Sequence, residues 1–337
     1  VSLLGLMLLG NILPINNHLT LWLLVLLVYC YFASILPVNI LLQPRDYLSS
    51  FLLFFGVGAG YLGLLISRPV INMPAYHRFA AAEGFLWPAM FVTVACGAVS
   101  GFHALIASGT SSKQIANESY IKRFGFGGML TEGLVAVLAI IATAILFNGR
   151  EDFSAILKTQ GPIAIFGKGY GLLSRSILGN SGMLIAMTIL NAFILTTLDT
   201  ATRIARYITE ELFSLKNRYL STLIVIILSA ALAFSGKWAK IWPVFGASNQ
   251  LVATLALFVL SCWLLAKKKN AQFTLWPALF MLITTLFALL FQARKYFIDK
   301  DSILFAITLI LIGLAIFIVK EVVYTRIHTD KRTDTHG

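Results

Sequence analysis

Apolar runs long enough to cross a lipid bilayer recur along this chain from one end to the other, and they leave few folds open. A helix rises about 1.5 Å per residue, so about 20 apolar residues span a hydrocarbon core of about 30 Å. Inside that core no water serves the backbone, and only helices or closed barrels satisfy their own N–H and C=O groups. Uninterrupted runs of this length, without alternation, exclude the barrel. The fold expected is therefore all-α: a polytopic membrane helix bundle of about ten spans. Full spans are predicted near 20–38, 47–66, 87–107, 126–147, 182–198, 219–235, 244–265, 274–292 and 303–323. Residues 1–12 read as the tail of a truncated helix whose start lies upstream. Residues 161–173 are apolar but short and interrupted by Gly and Pro, which fits a re-entrant segment or a plain loop.

Composition agrees. Only 12% of the residues are charged and 58% are hydrophobic, against about 25% charged in a soluble domain. The formal net charge is +12, and its basic residues cluster between apolar runs, as at Lys267-Lys268-Lys269. Aromatic residues are not interleaved with them, so the charge reads as contact with lipid headgroups and not with nucleic acid. Cys30, Cys96 and Cys262 each lie within an apolar run, with no CxxC pair, so neither a disulfide framework nor a zinc site follows. Trp22, Trp87, Trp242 and Trp276 fall near span ends, where an indole suits the headgroup level. Pro37 and Pro44 are expected to bracket the first long turn. Lys and Arg, counted over alternate loops, slightly favour the side that holds the C-terminus, which places that end in the cytoplasm. The division expected is a core over 13–265, a helix pair over 266–324 and a disordered polar tail over 325–337.

Three polar constellations interrupt the apolar runs. The first is CGAVSGFHALIASGTSSKQIANE, residues 96–118. Gly-rich or broken helices expose backbone groups to solutes, and His103 is a protonatable ring inside an apolar run. Ser108, Thr110, Ser111 and Lys113 follow it. They suit an anionic carboxylate, or equally a helix cap with a lysine reaching for the interface. The second is NAFILTTLDTATRIAR, residues 191–206, where Thr196, Thr197, Asp199 and Thr202 offer the hard oxygens that a sodium ion or proton site uses. The competing reading makes Asp199 the N-cap of a helix beginning at Thr200, paired with Arg203 one turn on. The third is WPVFGASNQ, residues 242–250. Here Ser248, Asn249 and Gln250 at the head of a helix either meet solute or hold helices together, and packing is the preferred reading. Glu132 suits a proton carrier or an interfacial glutamate near a helix start, the latter being the preferred reading, and Arg45 with Asp46 read as a local pair in a turn.

These strings also carry a resemblance. ASILPVNILLQPRDYL (33–48), VACGAVSGFHALIASGTSSKQIANE (94–118), FGFGGMLTEGLVAVLAIIA (124–142), ILTTLDTATRIARY (194–207) and WPVFGASNQLVATLAL (242–257) resemble the carbon starvation protein A (CstA) family, in family order. The resemblance implies an inner-membrane secondary transporter that takes up peptides or pyruvate-like metabolites under nutrient limitation. It implies an architecture similar to the amino acid–polyamine–cation transporters, with inverted repeats, and a proton or sodium ion as coupling partner with no other cofactor. The partners implied are a small-molecule substrate, the lipid bilayer and the N-terminal helices of the same parent chain. Ser112 stands before Lys113 where many members carry proline. Two other classes are open. Ser100 and His103 are near enough in sequence for nucleophilic chemistry, but GAVSG is not a nucleophile elbow. A membrane sensor or structural subunit of the starvation response would need no solute path.

Overall fold

The computed structural model describes residues 18–334 apart from 72, 77, 82, 83, 148, 149 and 237. Side chains at 81, 95, 96, 98, 150–152, 154, 158, 238, 239 and 321–334 are likewise outside the description. The expected truncated helix over 1–12 and the Cys96 side chain thus lie outside the described residues. The helices are α1 (Leu19–Ile35), α2 (Val38–Ser67), α3 (Phe91–Ala98), α4 (Gly101–Gly109), α5 (Ile121–Ala144), α6 (Arg150–Leu173), α7 (Arg175–Leu178), α8 (Gly182–Leu212), α9 (Arg218–Ser235), α10 (Trp238–Ala266), α11 (Gln272–Ile298) and α12 (Ser302–Asp334). A two-residue ribbon, β1 (Ala80–Ala81) against β2 (Gly84–Phe85), precedes a π-helical turn at Leu86–Met90. The chain is an all-α, multi-pass membrane bundle. Among the described residues seven helices are long and apolar enough to cross a bilayer, and α1 is a shorter apolar helix.

Two of the expected apolar runs are interrupted. The run 87–107 is not one span. The helix stops at Ala98 and restarts at Gly101, with Ser100 extended between them and capping α4 through its side chain. The run 161–173 is the second limb of α6, set off by a kink at Gly161 (φ 75°) just before Pro162. Two predicted boundaries also move. Pro44 lies inside α2, not in a turn, because a proline removes one N–H and bends a helix without having to end it. α8 runs on from 198 to Leu212. The polar residues that seemed to close it are accommodated within the helix. Thr200, Thr202 and Thr209 each donate a hydroxyl to the carbonyl four residues back. That is how a membrane helix carries threonine without an external partner. The backbone of α12 is helical to Asp334, past the start of the polar tail at 325.

The described chain falls into two compact units. The first holds α1, α2 as far as Phe51, α8 from Asn191, and α9. There α1 packs along α9, burying Cys30 and Ala33 on one helix and Thr222 and Val225 on the other. The second unit holds the remainder. One of its cores joins α3, α10, α11 and α12 through Val92, Ala247, Phe258, Ala278, Leu289 and Ala315. Trp87 Nε1 donates to Thr284 Oγ1 at 3.2 Å, fixing the π turn on α11.

The other core gathers Leu138, Ala142, Tyr170, Leu173 and Ala186. The Tyr170 hydroxyl donates to the Gly56 carbonyl at 2.6 Å. Apolar side chains gain little from leaving lipid for another helix, so association relies on close backbone approach. Gly169 shows it. A Cβ there would run into the carbonyl of Ala142 on α5. Gly169→Val is therefore expected to lower stability by about 2–3 kcal/mol, read as a lower thermal midpoint in detergent. Gly133→Ala, whose Cβ meets nothing within 4 Å, is the control expected to leave the midpoint in place.

Candidate functional site

Two polar sites are built inside these apolar elements, one in each unit. In the second unit the site is the break between α3 and α4. Helix ends leave N–H groups without intrahelical partners, and two side chains meet that need here. Ser100 Oγ accepts from His103 N–H at 3.3 Å, and Asn249 Oδ1 on α10 accepts from Phe102 N–H at 2.7 Å. The Ser100 hydroxyl donates to Asn249 Oδ1 at 3.3 Å. Gly101 lies so close to α10 that a Cβ would strike the backbone of Asn249. The break is thus clamped on α10. With its proton given to Asn249, Ser100 serves as a cap, and the nucleophile reading loses its motivation.

The break opens onto a cavity of about 910 Å³. Gly97, Ser100 and His103 line one wall, the turn with Ser111 and Ser112 another, and Glu118, Gly125, Gly128 and Glu132 the α5 side. Two carboxylates and an imidazole therefore face a space large enough for a small metabolite. The His103 ring stands edge-on to Phe102, with centroids 6.1 Å apart.

In the first unit the site surrounds Asp199, whose side chain is 0% exposed. Arg45 Nη1 donates to Asp199 Oδ2 at 2.5 Å, and the Tyr29 hydroxyl donates to the same oxygen at 2.9 Å. Arg45 also donates to the Tyr29 oxygen in a short contact. Its other nitrogen, Nη2, reaches Thr196 Oγ1 at 3.2 Å and Asp46 Oδ1 at 3.4 Å. Thr196 in turn donates to Asp46 Oδ1 at 3.0 Å. Asp199 Oδ1 is buried and has no hydrogen-bond partner. Arg203, only 4% exposed, points elsewhere: its Nη2 donates to Ala33 O and Leu36 O at the end of α1. Pro37 cannot supply an N–H there, so the guanidinium serves those carbonyls.

The residues singled out by sequence separate accordingly. His103, Ser111 and Ser112 line the cavity. Ser108 turns its hydroxyl back to Leu105 O and Lys113 closes an exposed turn, and neither is among the lining residues. Thr110 is the C-cap of α4, with its hydroxyl oxygen buried and unpartnered. Thr196 and Asp199 come together. Thr197 is exposed, and Thr202 bonds to Leu198 O. The N-cap reading of Asp199 is corrected, because the residue lies well inside α8. So is its pairing with Arg203. Ser248, Asn249 and Gln250 lie deeper in α10 than a helix head, since the helix starts at Trp238 with Pro243 inside it. Of the three, Asn249 does the clamping. Ser248 turns to Phe245 O, and Gln250 is buried with Oε1 unpartnered. Tyr29, Glu118 and the glycines of α5 were not foreseen. The Arg45–Asp46 turn pair is corrected to an intrahelical pair held against Asp199. A tyrosine and an Arg-Asp pair inside apolar runs were the available signals.

The sequence matches the family profile described as carbon starvation protein CstA over residues 7–151 and 148–288. The chain belongs to the CstA family. It is 31% identical to the peptide transporter CstA of Escherichia coli over 77% of this chain and 48% of that protein. It is 29% identical to the peptide transporter CstA of Bacillus subtilis over 82% of this chain and 54% of that protein. It is also 29% identical to the pyruvate/proton symporter BtsT of Escherichia coli, over 77% and 49%. The chain spans about half the length of these curated relatives. No solved structure matches it.

Proposed function

We propose that this CstA-family chain forms part of an ion-coupled secondary transporter that takes up peptides or pyruvate-like small metabolites across the cell membrane under nutrient limitation. The observation that carries the reading is the cavity at the α3–α4 break, lined by His103, Glu118 and Glu132 within a membrane bundle. A transporter places its solute site where helices are interrupted, because only there does the backbone offer polar groups at membrane depth. The relatives named as peptide transporters and as a pyruvate/proton symporter support the same reading. The coupling ion is a proton or sodium. Other helices of the parent chain complete the solute path. The bundle takes an architecture like that of the amino acid–polyamine–cation transporters, with inverted repeats, and keeps its C-terminus in the cytoplasm.

The test is uptake by the full-length parent in proteoliposomes. Labelled pyruvate or a labelled peptide is expected to accumulate when a proton or sodium gradient is imposed. Absence of gradient-dependent uptake of any small metabolite would return the chain to the sensor or structural reading. Within that assay His103→Ala is expected to abolish uptake or uncouple it from the gradient while the protein stays folded, since the imidazole that lines the cavity is gone. Uptake equal to the parent's would remove His103 from the site.

A further inference from the structure

We propose that Asp199 takes up one proton in each transport cycle and that Arg45 is its mobile counter-ion, released toward Asp46 when the proton arrives. This rests on the ion-coupled reading above and adds the group that carries the coupling charge. The argument begins from the orphaned oxygen. Asp199 Oδ2 has two donors, whereas Oδ1 is buried without any. A buried carboxylate oxygen with no donor is costly, and the cost disappears when a proton or cation binds it. Charge points the same way. Arg45 faces two carboxylates, Asp46 and Asp199, so this triad is one positive charge short of neutral.

A metal ion fits poorly. Hard cations gather about six oxygens, but among the described residues at this site a single buried carboxylate oxygen, Asp199 Oδ1, lacks a partner, and a guanidinium already sits 2.5 Å from its neighbour. The hydroxyls of Thr200 and Thr202 donate into their own helix, and that of Thr196 is taken up by Arg45 and Asp46. A proton needs a single lone pair.

The surrounding charged and titratable groups leave Asp199 as the natural acceptor. From α1 come Tyr29, which bonds it, and Cys30. From α2 come Arg45 and the partly exposed Asp46. On α8 itself Arg203 is committed to α1 carbonyls, and Arg206 lies by Glu210 at 3.9 Å and over the Tyr207 ring. On α9 Arg218 and Tyr219 turn to each other. The balance closes. A proton from the aqueous side adds to Asp199 Oδ1, and the carboxyl becomes neutral. Arg45 then keeps one full ion pair, with Asp46, through the Nη2 contact already in place. Loss of the proton to the opposite side restores the Arg45–Asp199 pair. The exchange has a short path, because Arg45 already touches both carboxylates and Thr196 bonds Arg45 and Asp46.

The experiment uses the full-length parent and two readouts. Infrared difference spectra between acid and neutral pH are expected to show one carboxyl band that is lost in Asp199→Asn and kept in Asp46→Asn. In proteoliposomes Asp199→Asn is expected to lose proton-driven accumulation while still exchanging solute across the membrane. Asp199→Glu is expected to regain coupling with a shifted pH dependence, and this variant carries the test should the amide fail to fold. A carboxyl band that survives in Asp199→Asn, or proton-driven accumulation in that variant, or accumulation driven by sodium alone in the parent, would overturn the proposal. Failure of the parent to move any solute would instead overturn the transporter reading, and the infrared titration would still report whether Asp199 takes the proton.

Discussion

Arg45→Ala is expected to destabilise the full-length protein by about 3–5 kcal/mol, the usual cost of removing one partner of a buried ion pair. The reason lies in what remains. Asp199 is fully buried, its Oδ1 already lacks a donor, and its Oδ2 would keep only Tyr29. Asp46 would lose the guanidinium it shares with Thr196. Removing both members is a different matter. In Arg45→Ala/Asp199→Ala no buried charge is stranded, and the double variant is expected to recover most of the lost stability. The measurement is the thermal midpoint in detergent for the parent, both singles and the double. If the double falls by the sum of the two singles, the pair is not coupled and the cluster is an accident of packing.

That cluster also shows where sequence reading reaches its limit. The membrane class of the chain was legible, because it follows from run length alone. Asp199 and Thr196 were legible as unusual, because a carboxylate in an apolar helix needs a reason. What could not be read is the partner. Arg45 lies 154 positions away from Asp199, and next to Pro44 it resembled a turn. Only the finding that α2 continues through Pro44 sends Arg45 into the helix and toward α8. The same logic governs the break at Ser100. Gly97 and Gly101 marked the segment as irregular, yet the clamp that fixes it is Asn249. In sequence Asn249 stands with Ser248 and Gln250 as one polar trio. Helical geometry separates them, since successive residues point about 100° apart. Asn249 meets the Phe102 N–H, while Ser248 turns back to its own helix. Glu118 and the α5 glycines were missed for a simpler reason. A cavity is a property of two elements facing each other, and neither element carries its signature alone.

The cavity can be tested by filling it. Gly128 lines its α5 side, and a Cβ added there meets nothing within 4 Å. A side chain there starts into open space on the cavity side. Glycine is also the poorer helix former by about 1 kcal/mol, so substitution is expected to leave stability unchanged or slightly raised. Gly128→Trp should then reduce uptake in proteoliposomes to background while the thermal midpoint holds. Gly133→Trp supplies the comparison. Gly133 is on the same helix and equally open, but it is not part of the cavity lining. Loss of uptake in Gly128→Trp with normal uptake in Gly133→Trp places the solute beside His103, Glu118 and Glu132. Full uptake in Gly128→Trp would move the solute away from this wall of the cavity, because an indole there narrows the space beside Gly128. Loss in both variants with a lowered midpoint would mean that this face of α5 is a packing surface for other helices. In that case the volume at the break is a seam between helices, and His103 and the two glutamates would have to be read as interhelical contacts.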